Sequence, residues 1–246
     1  MPDPTRVVPL HPSLQAPSLA PATPAQLTYR GGPLLTAVEV TTIFWGAAWR
    51  QAGAALAAQV NSFFDAILSS SLLDQLAEYD VPAYSIGHGS RVGTATVVPT
   101  GAQSHLSDGG VQRFLQNQLR TNRSLPQPGP NSLYFIYLAP GTTVSQGGGR
   151  SCTTFCGYHN DVGGNLFYAV MPYPGCPGCV GALSVLDALT STSSHELCEA
   201  ITDAVPGQGW YDDANGEIGD ICAWKTKKVA GYAVQLEWSN RAGACI

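Results

Sequence analysis

The chain has 246 residues, 44% of them hydrophobic and only 12% charged, with a formal net charge of −5. That is enough apolar material for the core of one large domain or two small ones. The acidic balance and scattered Lys and Arg argue against a nucleic-acid partner. No apolar run reaches the roughly 18 residues that a membrane span requires. The charged share is about half that of an average soluble domain. Gly, Ser, Thr, Asn and Gln fill its place, a composition common in secreted bacterial proteins.

Residues 1–28 are proline-rich without apolar periodicity, which predicts a disordered arm or a strap on the surface. The opening MPDPTRVVPLHPSL lacks a basic stretch followed by an apolar core, so no signal peptide is visible. Order is expected from Tyr29, and residues 29–246 are read as a single catalytic-type domain. Thr36–Trp45 is β-branched and aromatic, which predicts a central strand. Residues 49–69 carry Leu56, Val60, Phe63, Phe64 and Ile67 at helical spacing. A short helix over Leu72–Tyr79 follows, then strands at Ala83–Ile86 and Thr94–Val98.

Ser107-Asp108 offers an N-cap for a helix to about Asn122. Ser132–Leu138 reads as a strand buried on both faces. A Gly- and Cys-rich loop region, 141–165, leads to a strand at Leu166–Met171. After a rigid turn, PYPGCPGC, a long helix runs from about Leu183 to Thr202, and a meander with a strand near Tyr232–Trp238 ends the chain. Lys225, Lys227 and Lys228 are read as a solvated turn in that meander. Strands alternate with helices, so the expected class is α/β, a mixed sheet with helices packed on it.

Cysteines stand at 152, 156, 176, 179, 198, 222 and 245. Six can pair, most simply 152 with 156, 176 with 179 and 222 with 245, leaving Cys198 in the helix; other pairings remain open. Cys152, Cys156, Cys176 and Cys179 also have spacing suited to a structural zinc site. The low-charge composition favours disulfides and an exported protein.

The long helix carries His195-Glu196-Leu197-Cys198-Glu199. His195 and Glu199 are four residues apart and stack on one face, so an imidazole nitrogen and a carboxylate oxygen can bind one ion. In the better-known HExxH arrangement two histidines hold zinc and the Glu is general base; here Glu199 stands in for the second His. Seven of the chain's 17 acidic residues fall between 196 and 220. Of these, Glu217 or Asp220 is the expected third ligand, the other orienting His195. Asp203 is read as a helix-end group. The small residues Ser191–Ser194 leave room for a substrate or a neighbouring strand. The Asp212–Gly216 turn either points its carboxylates at solvent or holds calcium.

His159, in a loop pinned by cysteines, is a candidate metal ligand or oxyanion donor. His88 and His105 read as surface residues, and His11 belongs to the arm. No G-x-S-x-G or GxxxxGK[ST] occurs, while paired carboxylates would also suit a glycosidase.

Three islands are similar to a known family: Tyr29–Pro33 with Ile43-Phe44-Trp45, Phe155–His159, and Ser194–Leu197 continuing through Gly209–Asp212 to Gly216–Cys222. They resemble bacterial proteins related to the plant exordium (phosphate-induced protein) family, here carrying a zincin-like helix. The resemblance implies a secreted or wall-associated protein with disulfides. The helix chemistry points to a zinc-dependent peptidase acting on a peptide or protein substrate. Zinc would sit on His195, Glu199 and Glu217 or Asp220, with Glu196 as general base and His159 assisting. The alternative is a non-catalytic secreted binding protein with a structural calcium or zinc ion.

Overall fold

A computed structural model describes residues 7–11, 24–101 and 104–246. Its elements run β1 (Val8–Pro9), β2 (Thr28–Tyr29), β3 (Glu39–Trp45), α1 (Ala54–Ile67), α2 (Ser71–Asp74), β4 (Ser90–Val97), β5 (His105–Ser107), α3 (Asp108–Thr121), β6 (Ser132–Leu138), β7 (Thr143–Gln146) and β8 (Gly149–Arg150). They continue with β9 (Phe155–Val162), β10 (Leu166–Met171), α4 (Pro177–Val180), α5 (Val185–Thr202), β11 (Trp210–Tyr211), β12 (Thr226–Val229), β13 (Tyr232–Gln235), β14 (Trp238–Ser239) and β15 (Ala244–Cys245). The class is mixed α/β, as the alternation of strands and helices predicts.

The main sheet has six strands in the order β1-β9-β10-β6-β3-β4. β10, β6, β3 and β4 are parallel, while β9 runs antiparallel to β10 and β1 antiparallel to β9. Parallel strands covered on both faces need apolar side chains on both, and β6 supplies them. Leu133, Phe135 and Tyr137 join the core shared with α1 and α5, and Tyr134, Ile136 and Leu138 join the core shared with α3. The α3 end is fixed by Ser107, whose hydroxyl caps Gly110 N–H, and by Asp108 Oδ1, which accepts hydrogen bonds from the Tyr158 and Tyr168 hydroxyls. No helix among the described residues is long and apolar enough to cross a membrane.

α5 is capped by Ser184, whose Oγ accepts from Asp187 N–H. From Ala188 to Thr202 every residue of it is buried. The hydroxyls of its middle turn are satisfied internally: Ser193 Oγ pairs with the Tyr137 hydroxyl at 2.7 Å, and Ser194 Oγ accepts from Gln235 N–H at 2.9 Å. Room left by the small side chains is therefore taken by a neighbouring strand, β13.

Several expectations change. Ala83–Ile86 forms no strand; Tyr84 makes one isolated bridge with Val81. Within the expected N-terminal arm, residues 1–6 and 12–23 lie outside the described residues. Val8 and Pro9 form β1, with Val8 buried beside Cys156 and Cys179. Leu27 is buried too, its N–H given to Asn240 Oδ1, so ordered chain is already present ahead of Tyr29.

Three disulfides join Cys152 to Cys176, Cys156 to Cys179 and Cys222 to Cys245, and Cys198 is free and buried. The two short-range pairings, 152 with 156 and 176 with 179, are corrected. Each short segment is a turn closed on itself, by Cys152 N–H to Phe155 O and by Cys179 N–H to Cys176 O. The sulfurs of one turn then face the other turn, which also commits the sulfurs that a structural zinc would have used.

Candidate metal centre

Three parts of the chain meet over Glu199. The first is β9, which brings His159. Its FCGYHNDV sequence looks like a loop, and the expected loop position is corrected: His159 is paired in register with Ala169 of β10. The hairpin turn is Gly163-Gly164-Asn165, with both glycines at positive φ, a conformation glycine adopts at no steric cost. Gly157, also on β9, lets the strand lie close to α5. A Cβ there would stand 2.8 Å from Thr192 Cγ2 and 3.2 Å from Glu196 Oε1.

The second part is α5, with His195, Glu196 and Glu199 all at most 1% exposed. His159 Nδ1 lies 3.3 Å from Glu196 Oε2 and 3.5 Å from Glu199 Oε2. His195 Nε2 lies 2.9 Å from Glu199 Oε1, yet neither ring nitrogen of His195 is aligned for a hydrogen bond. This is a close ion-pair contact without a directed bond.

The third part is the turn after β11. Glu217 is wholly buried, with Oε1 3.4 Å from His159 Nε2. Asp220, partly buried, accepts from Glu217 N–H through Oδ2 and gives its own N–H to Glu199 Oε1 at 3.1 Å. Gly219 makes this approach possible. A Cβ at Gly219 would come within 2.8 Å of His195 Nδ1 and 2.9 Å of Glu199 Oε1. Gln235 Nε2 holds the Gly219 carbonyl, and the Cys222–Cys245 disulfide anchors the following residues.

The electrostatics follow from burial. Burial alone would lower the His159 and His195 pKa values, but the carboxylates around each more than reverse this, Glu217 leading for His159 and Glu199 for His195. Glu217 is raised well above the ordinary carboxyl range, first by burial and then by Glu199, Asp203 and Asp220, against the opposing pull of His159. Glu196 is raised, again chiefly by burial. Glu199 is lowered: burial pushes it up, and the two histidines outweigh that.

Two groups have the spacing to hold an ion, His159–Glu196–Glu199 and His195–Glu199–Asp220, each with ligand atoms within 4.8 Å of one another. All six candidate residues from the sequence, His159, His195, Glu196, Glu199, Glu217 and Asp220, thus lie in one cluster. Asp203 is a helix-end group whose carboxylate accepts from the N–H groups of Gly207, Gln208 and Gly209. The Asp212–Gly216 turn forms no such group among the described residues. Asp212 takes backbone N–H bonds from Gln26, Ala214 and Asn215, and Asp213 pairs with Arg30.

Sequence reasoning missed Glu237, a fully buried carboxyl beside the Cys198 thiol, pushed well above the ordinary carboxylate range by that burial. Its QLEW setting gives no burial signal. A cavity of ≈ 650 Å³ lined by Pro33, Tyr84, Asn131 and Phe167 touches none of the cluster. Compared with protein-family models, curated proteins and solved structures, the chain matches none.

Proposed function

We propose that the chain is an exported metal-binding protein that holds a divalent ion between β9, α5 and the Glu217–Asp220 turn, with His159, Glu196 and Glu199 as ligands. One observation carries this reading. Glu196 Oε1, Glu199 Oε2, both Glu217 carboxylate oxygens and both His195 ring nitrogens are buried without a hydrogen-bond partner. An orphaned buried polar group costs about 1–3 kcal/mol, more when charged, and this many at one point would be untenable unless a cation collected them. The donor set fits such an ion: imidazole with carboxylates suits zinc, whereas calcium prefers oxygen alone. Three disulfides support export.

The test is metal content by elemental mass spectrometry on chain purified without chelators, with thermal unfolding before and after EDTA. Bound zinc and a midpoint that falls on chelation are expected. A metal-free chain that also takes up no zinc on titration would end the reading.

A zinc-dependent peptidase is the second reading, favoured by the order His195-Glu196-x-x-Glu199 on one helix and by the unpartnered Glu196 Oε1. The ion would polarise a peptide carbonyl and make water more acidic. His195, Glu199 and Glu217 or Asp220 would hold it, Glu196 would take the proton, and His159, at 3.3 Å, would tune that carboxylate. Closure around His159 and Glu196 weighs toward the first reading, since structural zinc sites are closed and catalytic ones keep a position open. Glu196→Gln separates them: it weakens zinc binding if Glu196 is a ligand, and abolishes peptide cleavage with zinc retained if Glu196 is the base.

A further inference from the structure

The following inference rests on the metal-binding reading above and concerns how many ions the site takes. The two oxygens of Glu199 face different histidines, Oε2 toward His159 and Oε1 toward His195. The two ligand groups share Glu199 and nothing else. We propose that the centre is dinuclear, with the Glu199 carboxylate bridging an inner divalent ion on His159 and Glu196 and an outer one on His195 and Asp220.

Charge balance argues for the second ion. Glu196, Glu199, Glu217 and Asp220 bring four carboxylates, and the ion pairs of the three buried glutamates are with histidines. A histidine that ligates a metal is neutral, so it no longer offsets an anion. One divalent ion offsets two of these four charges and leaves the others at a largely buried site, where uncompensated charge is expensive; two ions neutralise all four.

His195 argues for the position of the second ion. The ring is fully buried and both nitrogens lack a hydrogen-bond partner, so an ion at His159 and Glu196 alone leaves it unexplained. Gly219 argues the same way. It lets Asp220 bring a ligand atom within 4.8 Å of those of His195 and Glu199, at a spot where a Cβ would press on His195 Nδ1 and Glu199 Oε1. The two positions also differ in access: His159 and Glu196 are sealed, whereas Asp220 is only partly buried. The outer ion is therefore the one with an open direction toward solvent, as a reactive metal position requires.

The experiment is native mass spectrometry of the full, disulfide-bonded chain titrated with zinc to saturation, for wild type, Asp220→Asn, His195→Gln and Glu199→Gln. Two ions are expected in wild type, one in Asp220→Asn and in His195→Gln, and none in Glu199→Gln. The ion retained by the first two variants shows in the same spectrum that they are folded. Saturation of wild type at one ion overturns the dinuclear assignment and leaves the metal-binding reading standing. So does a second ion that Asp220→Asn and His195→Gln leave in place, or loss of both ions together in those two variants. No ion in any sample overturns both.

Discussion

Glu199 touches every part of the centre: one oxygen meets His159, the other meets His195 and the Asp220 N–H. The glycine beneath it is as specific as the ligands. Gly219 has an ordinary negative φ, so Gly219→Ala strains nothing in the backbone and acts only by placing a methyl against His195 and Glu199. Displacing groups that support a metal site typically costs 10–100-fold in affinity. A zinc dissociation constant raised by about tenfold or more is expected by competition titration, with the disulfides intact.

Protonation adds a second prediction at this scale. In chelated protein His159, His195, Glu196 and Glu217 all have folded pKa values above their ordinary ones of 6.5 and 4.5. Each binds protons more readily folded than unfolded. The stability each contributes is therefore complete below the unfolded value and is lost as pH rises through the folded value. Glu199, held low, works in the opposite sense, its contribution present above 4.5 and lost in acid. Around neutrality the raised groups decide the slope. Scanning calorimetry in EDTA should show the midpoint falling from about pH 6 to about pH 8.5, with the stabilisation by zinc growing over the same interval. A midpoint that rises with pH would contradict the charged histidines.

Among the elements, α5 and β9 differ in how far they can be read from sequence. α5 declares itself through the spacing of Leu189, Leu197 and Ile201, and its three site residues come with it. β6 and β10 are equally plain because both faces are apolar. β9 hides because glycine, histidine, asparagine and aspartate are poor strand formers taken singly. Its pairing is set by β10 and the Gly163-Gly164 turn, and the sequence reading assigned that glycine pair to a loop. Ala83–Ile86 shows the converse: Asp80 accepts hydrogen bonds from the Ser85 hydroxyl and the Ile86 N–H and holds the segment in a turn.

The close packing of these two elements makes Gly157→Ala informative. Its methyl would meet Thr192 and Glu196, and overpacking of this kind costs about 1–3 kcal/mol. Urea unfolding should show that loss together with weaker zinc binding, since β9 would be pushed away from α5 and His159 with it. Unchanged stability would mean that the two elements are not in close contact.

At the scale of the whole molecule the site is assembled by topology. His159 lies 36 residues before His195 in the sequence, and only the pairing of β9 between β1 and β10 sets it over α5. Chain spacing does not encode that meeting, and it encodes the cysteine pairings no better, because these join one turn to another. Peptide mapping without reduction should recover Cys152 linked to Cys176 and Cys156 linked to Cys179. Replacing Cys222 and Cys245 by Ser opens a loop with a sequence separation of 23, for which chain entropy predicts a loss of about 3 kcal/mol. Because that loop begins just after Asp220, zinc affinity should fall with stability. A variant that loses stability and keeps full affinity would show that the turn holds its place without the crosslink.

With six cysteines bonded, Cys198 is the one free thiol, and it sits on α5 beside Glu199 with its side chain sealed. Burial, then Glu237, pushes its pKa well up, so the folded chain offers an alkylating reagent neither access nor thiolate. Labelling has to wait until the helix lifts away from its neighbours. The rate at which Cys198 is modified under native conditions is therefore a built-in clock for the opening of the helix that carries the site, running slowly with metal bound and fast once a chelator has removed it.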